Sequence, residues 1–113
     1  MDSLFGDVAF LFVLAFVVVF VNGFGVYIHE NAHKTIFGYY DVNSTIHYGF
    51  LFDSGDTEPD SSDFYMLDEQ TQNSLKLAES NVDAFGYPLS TVSVLLSIIL
   101  VFLIRIAWSH QTN

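Results

Sequence analysis

Two long apolar runs separated by a polar middle dominate the chain. From Val8 to Ile28 no residue is charged, and Asn22 is the only strongly polar side chain. At about 1.5 Å of rise per residue, this run extends about 31 Å as a helix, the thickness of a bilayer's hydrocarbon core. Asp2 and Asp7 stand where a signal peptide has its positive region, and the run is longer than a signal peptide's apolar stretch. A transmembrane helix is therefore the better reading. Gly23 and Gly25, near its end, permit a bend or a close helix approach. The second run, over 89–108, is nearly continuous in Val, Leu, Ile and Phe, and Pro88 marks its start. Arg105 and Trp108 suit its far interface, where a long cation snorkels and an indole anchors. Two spans put both termini on one side of the bilayer and residues 34–88 on the other, and Arg105 hints that the termini are cytoplasmic.

Between the runs the pattern changes period. The first helix is expected to continue past the apolar run over 29–38. Asp41 to Asn43 read as a turn, and residues 44–52, β-branched and aromatic, predict a short strand or hairpin arm. Residues 53–67, a cluster of Asp, Ser, Gly and Pro, predict an acidic loop without periodicity. Asp68 is placed to cap a helix over 68–87, in which Leu75, Ala78, Val82 and Phe85 share one face. The predicted fold is thus mostly α and membrane-embedded. Two transmembrane helices flank a small α+β segment in a single domain over 1–113, with no internal repeat.

Composition narrows the function. Thirteen acidic residues face three basic ones, Lys34, Lys76 and Arg105. Phosphate neutralisation needs lysine and arginine, so nucleic-acid binding is excluded and docking on anionic head groups is disfavoured. Strong acidity with few lysines suits a high-salt setting, archaeal or viral, where screening relieves the repulsion between carboxylates. There is no cysteine, so any metal site must be built from His, Asp and Glu.

His29 and His33 supply that chemistry. Four residues apart on a continuing helix, their imidazoles lie one turn apart on one face and can share a zinc ion. Glu30 follows the first histidine and projects beside the metal, where it can take a proton from a zinc-activated water. This His-Glu-x-x-His spacing is that of zinc metalloproteases. A third ligand is required. Glu79 and Asp83, also four apart, share a face of the 68–87 helix; Glu79 is the candidate ligand, and Asp83 is placed to orient His29 through its free ring nitrogen. Candidates to stabilise an oxyanion are His47, Tyr39, Tyr40, Tyr48 and Tyr87.

His29-Glu30-x-x-His33 followed by Glu79-x-x-x-Asp83 resembles the gluzincin pattern of thermolysin-like peptidases, and the run Asp83-Ala84-Phe85-Gly86 adds to the likeness. The resemblance implies zinc bound by His29, His33 and Glu79, with Glu30 as general base and Asp83 orienting His29. Membrane-embedded gluzincins, such as the prenyl-protein processing proteases, carry the pattern against transmembrane helices. Here a membrane helix replaces the substrate-holding strand that precedes the first motif in that family, and the stretch between the motifs is longer than in thermolysin. His29 to Phe52 also resembles the site-2 protease family, whose third ligand is an aspartate in a Leu-Asp-Gly context on a later membrane helix; Leu67-Asp68-Glu69 matches that in part.

The function expected is a membrane-bound zinc endopeptidase acting on peptide or protein substrates near the bilayer surface. A homo-oligomer or a partner subunit could complete its cleft, and the strand over 45–52 could pair with an extended substrate. The alternative is a non-catalytic two-span membrane or envelope protein with a structural metal site.

Overall fold

The computed structural model describes residues 2–112. Two helices account for most of the chain: α1, Asp2–Tyr39, and the last helix, Glu69–Thr112. Between them lie β1 (Ser44–Tyr48), a 3-10 turn (Phe50–Phe52), β2 (Gly55–Pro59) and the short α2 (Ser61–Tyr65); the last helix is α3. The two-helix frame with a small inserted α+β segment is the architecture that the apolar runs predict. Both long helices are long and apolar enough to cross a membrane, and their most apolar stretches are not buried inside the protein.

α1 and α3 pack antiparallel along their whole length, and each step of four residues up α1 meets a step of about four back along α3. Phe37 packs with Leu75, His33 meets Glu79, His29 meets Asp83 and Gly86, and Gly25 lies against Ser90. At the far end Phe10 touches Phe102 edge-on at 5.1 Å, and Asp7 pairs with Arg105. Gly25 permits the close approach at mid-pair, since a Cβ there would sit 2.9 Å from Ser90 Oγ.

α1 stops at its outer end for a definable reason. Asp41 adopts a left-handed conformation (φ 58°), Val42 N–H donates to the Phe37 carbonyl at 2.9 Å, and Asp41 N–H donates to Gly38 at 3.1 Å. These are the paired bonds of a Schellman cap, and the apolar contact that accompanies them, Val42 on Phe37, seeds the only fully apolar core among the described residues. Leu75 completes it, with Tyr40, Phe64 and Leu67 around the rim.

Four expectations are revised. The strand expected over 44–52 ends at Tyr48, because the chain turns at Gly49 and Leu51 and Phe52 take left-handed backbone conformations. The acidic stretch 53–67 is not a loop throughout: Gly55–Pro59 pairs antiparallel with β1, from Tyr48 opposite Gly55 to Ser44 opposite Pro59, and Asp60 caps α2. In β2, Gly55, Thr57 and Pro59 face inward while Asp56 and Glu58 face out, so a period of two is present but none of its inward residues is strongly apolar. Pro88 does not divide α3. A proline removes one backbone donor, yet in an apolar setting the helix remains the one way to satisfy the others. Of the face expected to point inward, Leu75, Ala78 and Val82 do so, whereas Phe85 is exposed.

Candidate metal centre

The inward stripe of α1 carries His29 and His33 one turn apart, and the opposing stripe of α3 carries Glu79 and Asp83 one turn apart. All four side chains converge beyond the apolar runs, just where the polar middle of the chain begins. Asp83 Oδ1 lies 3.0 Å from His29 Nε2 and 2.9 Å from His33 Nε2, and the two Nε2 atoms are 3.1 Å apart. Glu79 Oε2 contacts the other nitrogen of His33, Nδ1.

Donor accounting narrows what this cluster can hold. With Glu79 ionised it accepts at Nδ1, His33 then takes the Nδ1–H tautomer, and the His33 Nε2 lone pair faces Asp83 and His29. A lone pair turned towards a carboxylate oxygen calls for a cation or a proton between them. Metal–ligand bonds of about 2.0–2.1 Å at tetrahedral angles separate ligand atoms by about 3.3 Å, close to the three spacings seen here. Among the described residues, His29, His33 and Asp83 form a group that could hold a metal ion. Glu79 adds a second sign: its Oε1 is buried without a hydrogen-bond partner. The donor chemistry, two imidazoles and a carboxylate with a second carboxylate behind, fits Zn2+.

Asp83 meets His29, as the spacing leads one to expect, and it also reaches His33. The spacing pattern made Glu79 the ligand and Asp83 the residue behind a histidine; the packing brings Asp83 to both Nε2 atoms and Glu79 to the back of His33. Asp68, the other aspartate considered as a ligand, caps α3, accepting from Thr71 N–H at 2.8 Å. Its carboxyl is held below the usual carboxylate range by that N–H and by the Thr71 hydroxyl. Fifteen positions along one helix separate it from Asp83, about 22 Å.

Both members of the His33–Glu79 contact are shifted upward, and both lie outside the two apolar spans. For His33, burial opposes the proton, but the hydrogen bonds and charges of Glu79 and Asp83 outweigh it. For Glu79, burial dominates, against the pull of His33. Without a metal, the pair holds a proton that metal binding would displace.

Glu30 is buried on α1 beside this cluster. The Thr57 hydroxyl of β2 donates to its Oε2 at 2.6 Å, and the same hydroxyl lies 3.1 Å from the Glu30 carbonyl. Gly55 permits that seat, because a Cβ there would stand 2.6 Å from Glu30 Cγ. Gly86 does the same for His29, whose ring occupies the space a Cβ would need. Gly86 ends the Asp83-Ala84-Phe85-Gly86 run, whereas Gly55 and Thr57 are marked by no motif and leave only a Gly-x-Thr in the acidic stretch.

A cleft of about 340 Å³ opens beside His29 and Glu30 and runs between the helices to Asn22, Ser90 and Thr91. Tyr87 lines it, with its ring 4.8 Å from that of His29. Burial first, then the charges of Asp83, Glu30 and Asp56, raises the Tyr87 phenol, which keeps its proton as a donor. His47 is not brought to the site: it is exposed on β1, 3.6 Å from Glu58. Tyr48 stacks on Tyr27 and accepts from Asn31 Nδ2 at 3.2 Å, Tyr39 is exposed, and Tyr40 packs at the outer core. Of the oxyanion candidates, Tyr87 alone lines the cleft beside the cluster.

No protein-family model, curated protein or solved structure matches this chain.

Proposed function

We propose that the chain is a two-span membrane zinc metallopeptidase that hydrolyses peptide bonds near the bilayer surface. The observation that carries this reading is the meeting of three metal-type donor atoms with a buried glutamate, Glu30, held beside them at a cleft. In this assignment His29, His33 and Asp83 are the ligands, Glu79 orients His33, and Glu30 is the general base. An aspartate ligand on a membrane helix is similar to the site-2 protease arrangement, while the motif order is similar to that of gluzincins.

Zinc bound here would acidify a coordinated water and polarise the scissile carbonyl. The remaining steps belong to the chain. Thr57 holds Glu30 Oε2 and leaves Oε1 to accept the water's proton and pass it to the departing amine. Tyr87 donates to the oxygen that gains charge on the substrate. The cleft towards Ser90 and Thr91 receives the substrate chain and limits water. A second copy of the chain would extend its open side. The acidic surface suits a high-salt archaeal or viral setting.

The alternative, a two-span membrane or envelope protein with a structural metal, has no need of Glu30. Protein purified in detergent at high salt should contain one zinc per chain and cleave a quenched-fluorescent peptide library. Glu30→Gln should keep the zinc and lower the rate by about 10²–10⁴-fold. Full zinc with equal cleavage by wild type and Glu30→Gln would establish the structural alternative.

A further inference from the structure

We infer that the tip of the β-hairpin, Phe50-Leu51-Phe52, is inserted into the hydrocarbon of the bilayer and works as a third membrane contact beside the two helices. The proposal rests on the two-span reading and not on the metal centre.

The hairpin runs alongside α1 with its tip pointing back towards the apolar run. Thr57 sits at the level of Glu30, Tyr48 at the level of Tyr27, and Phe52 at Gly23. Gly23 lies five residues inside the end of the span at Ile28, which places the tip about 7.5 Å below that end. Such a depth is the 5–10 Å typical of interfacial insertion. A Cβ at Gly23 would stand 3.2 Å from Phe52 Cβ, so the glycine provides the seat for the tip.

The tip is built for lipid. Phe50 is 83% exposed, Leu51 59% and Phe52 47%, three consecutive exposed apolar side chains at the hairpin's tip. Leu51 and Phe52 hold left-handed backbone (φ 54° and 56°), a conformation that apolar L-residues rarely adopt. Both side chains form one wall of a wholly apolar groove of about 350 Å³ whose other wall carries Phe16, Phe20 and Phe24. Three backbone donors close the turn on itself: Gly49 N–H to Ser54, Phe52 N–H to Gly49 and Asp53 N–H to Phe50. The nearest charge, Asp53, turns the other way, to the polar cleft with Asn22 and Ser90. Tyr27 and Tyr48, stacked with centroids 6.3 Å apart, lie just above the tip, as interfacial aromatics do. Membrane depth of the hairpin then sets where Thr57 and Gly55 rest on Glu30.

The chain has no cysteine, which makes single-thiol mapping clean. In liposomes, a water-soluble maleimide should label Asp56→Cys at least about tenfold faster than Leu51→Cys, with Phe16→Cys as the span control. Phe50→Trp in a Trp108→Phe background should emit as a buried indole and be quenched by lipids brominated on their acyl chains. Rapid labelling of Leu51→Cys with Phe16→Cys protected would overturn the tip insertion alone. Rapid labelling of both would remove the two-span reading and the proposal with it. Protection of Leu51→Cys without quenching by brominated lipid would mean that protein covers the tip, and would also overturn it.

Discussion

α1 and α3 contribute two side chains each to the cluster, His29 and His33 against Glu79 and Asp83, but they are placed differently. On α1 the roles follow from local spacing: on any helix, residues i and i+4 share a face and residue i+1 stands to the side, so His29, His33 and Glu30 are placed before tertiary structure forms. On α3 the pair Glu79 and Asp83 shares a face equally well, and spacing cannot say which carboxylate reaches which nitrogen. The depth and register of the helix pair bring Asp83 to both Nε2 atoms and Glu79 to Nδ1 of His33, with Gly86 under His29 and Gly25 against Ser90. One half of the site is written in sequence and the other in packing.

The most severe way to break the comparison is on α1. In the proposed assignment, His29→Ala and His33→Ala should each abolish zinc retention and hydrolysis, read by metal analysis and peptide cleavage after dialysis. Next in size is pH. In the metal-free protein His33 keeps its proton above the ordinary imidazole value of 6.5, because of Glu79 and Asp83. Zinc must displace that proton, so loading should be full well above the raised value and fall as pH drops through it, in titrations at pH 8 and 5.5. Gly86→Ala tests the packing half. Its methyl meets the His29 ring, and overpacking of about 1–3 kcal/mol should appear as weaker zinc binding with little change in helix content. Thr57→Val should leave zinc in place and lower the rate by freeing Glu30, a loss of the order of one charge-assisted hydrogen bond, about 1.5–3 kcal/mol.

The smallest effect lies far from the metal. Asp60 and Asp68 cap α2 and α3, and both carboxyls titrate below their ordinary value of 3.8, held there chiefly by Ser62 and Asp63 and by Thr71 respectively. A depressed pKa stabilises the fold above the unfolded value and ceases to do so as pH falls through the folded one. Amide exchange at Ser62 and Thr71 should therefore quicken below about pH 4 while exchange in the centre of α1 does not.

What sequence makes legible follows the same division. The two apolar helices, the His-Glu-x-x-His placement and the cap at Asp68 rest on local rules and are found as expected. β2 was hidden because its inward positions are Gly55, Thr57 and Pro59, which carry no hydrophobic signal. The continuity of α3 through Pro88 was hidden because a proline reads as a boundary in water and less so beside lipid. The exposure of His47 follows from the register of β1 on β2, which no residue of β1 alone specifies.

The exchange of roles between Glu79 and Asp83 is the central claim, and paired zinc affinities of Asp83→Asn and Glu79→Gln at pH 8 test it most directly. The proposed assignment has Asp83→Asn lose zinc altogether, and Glu79→Gln bind it about 10–100-fold more weakly, the range for a residue that orients a ligand. Zinc lost with Glu79→Gln and kept with Asp83→Asn would contradict it and return Glu79 to the metal.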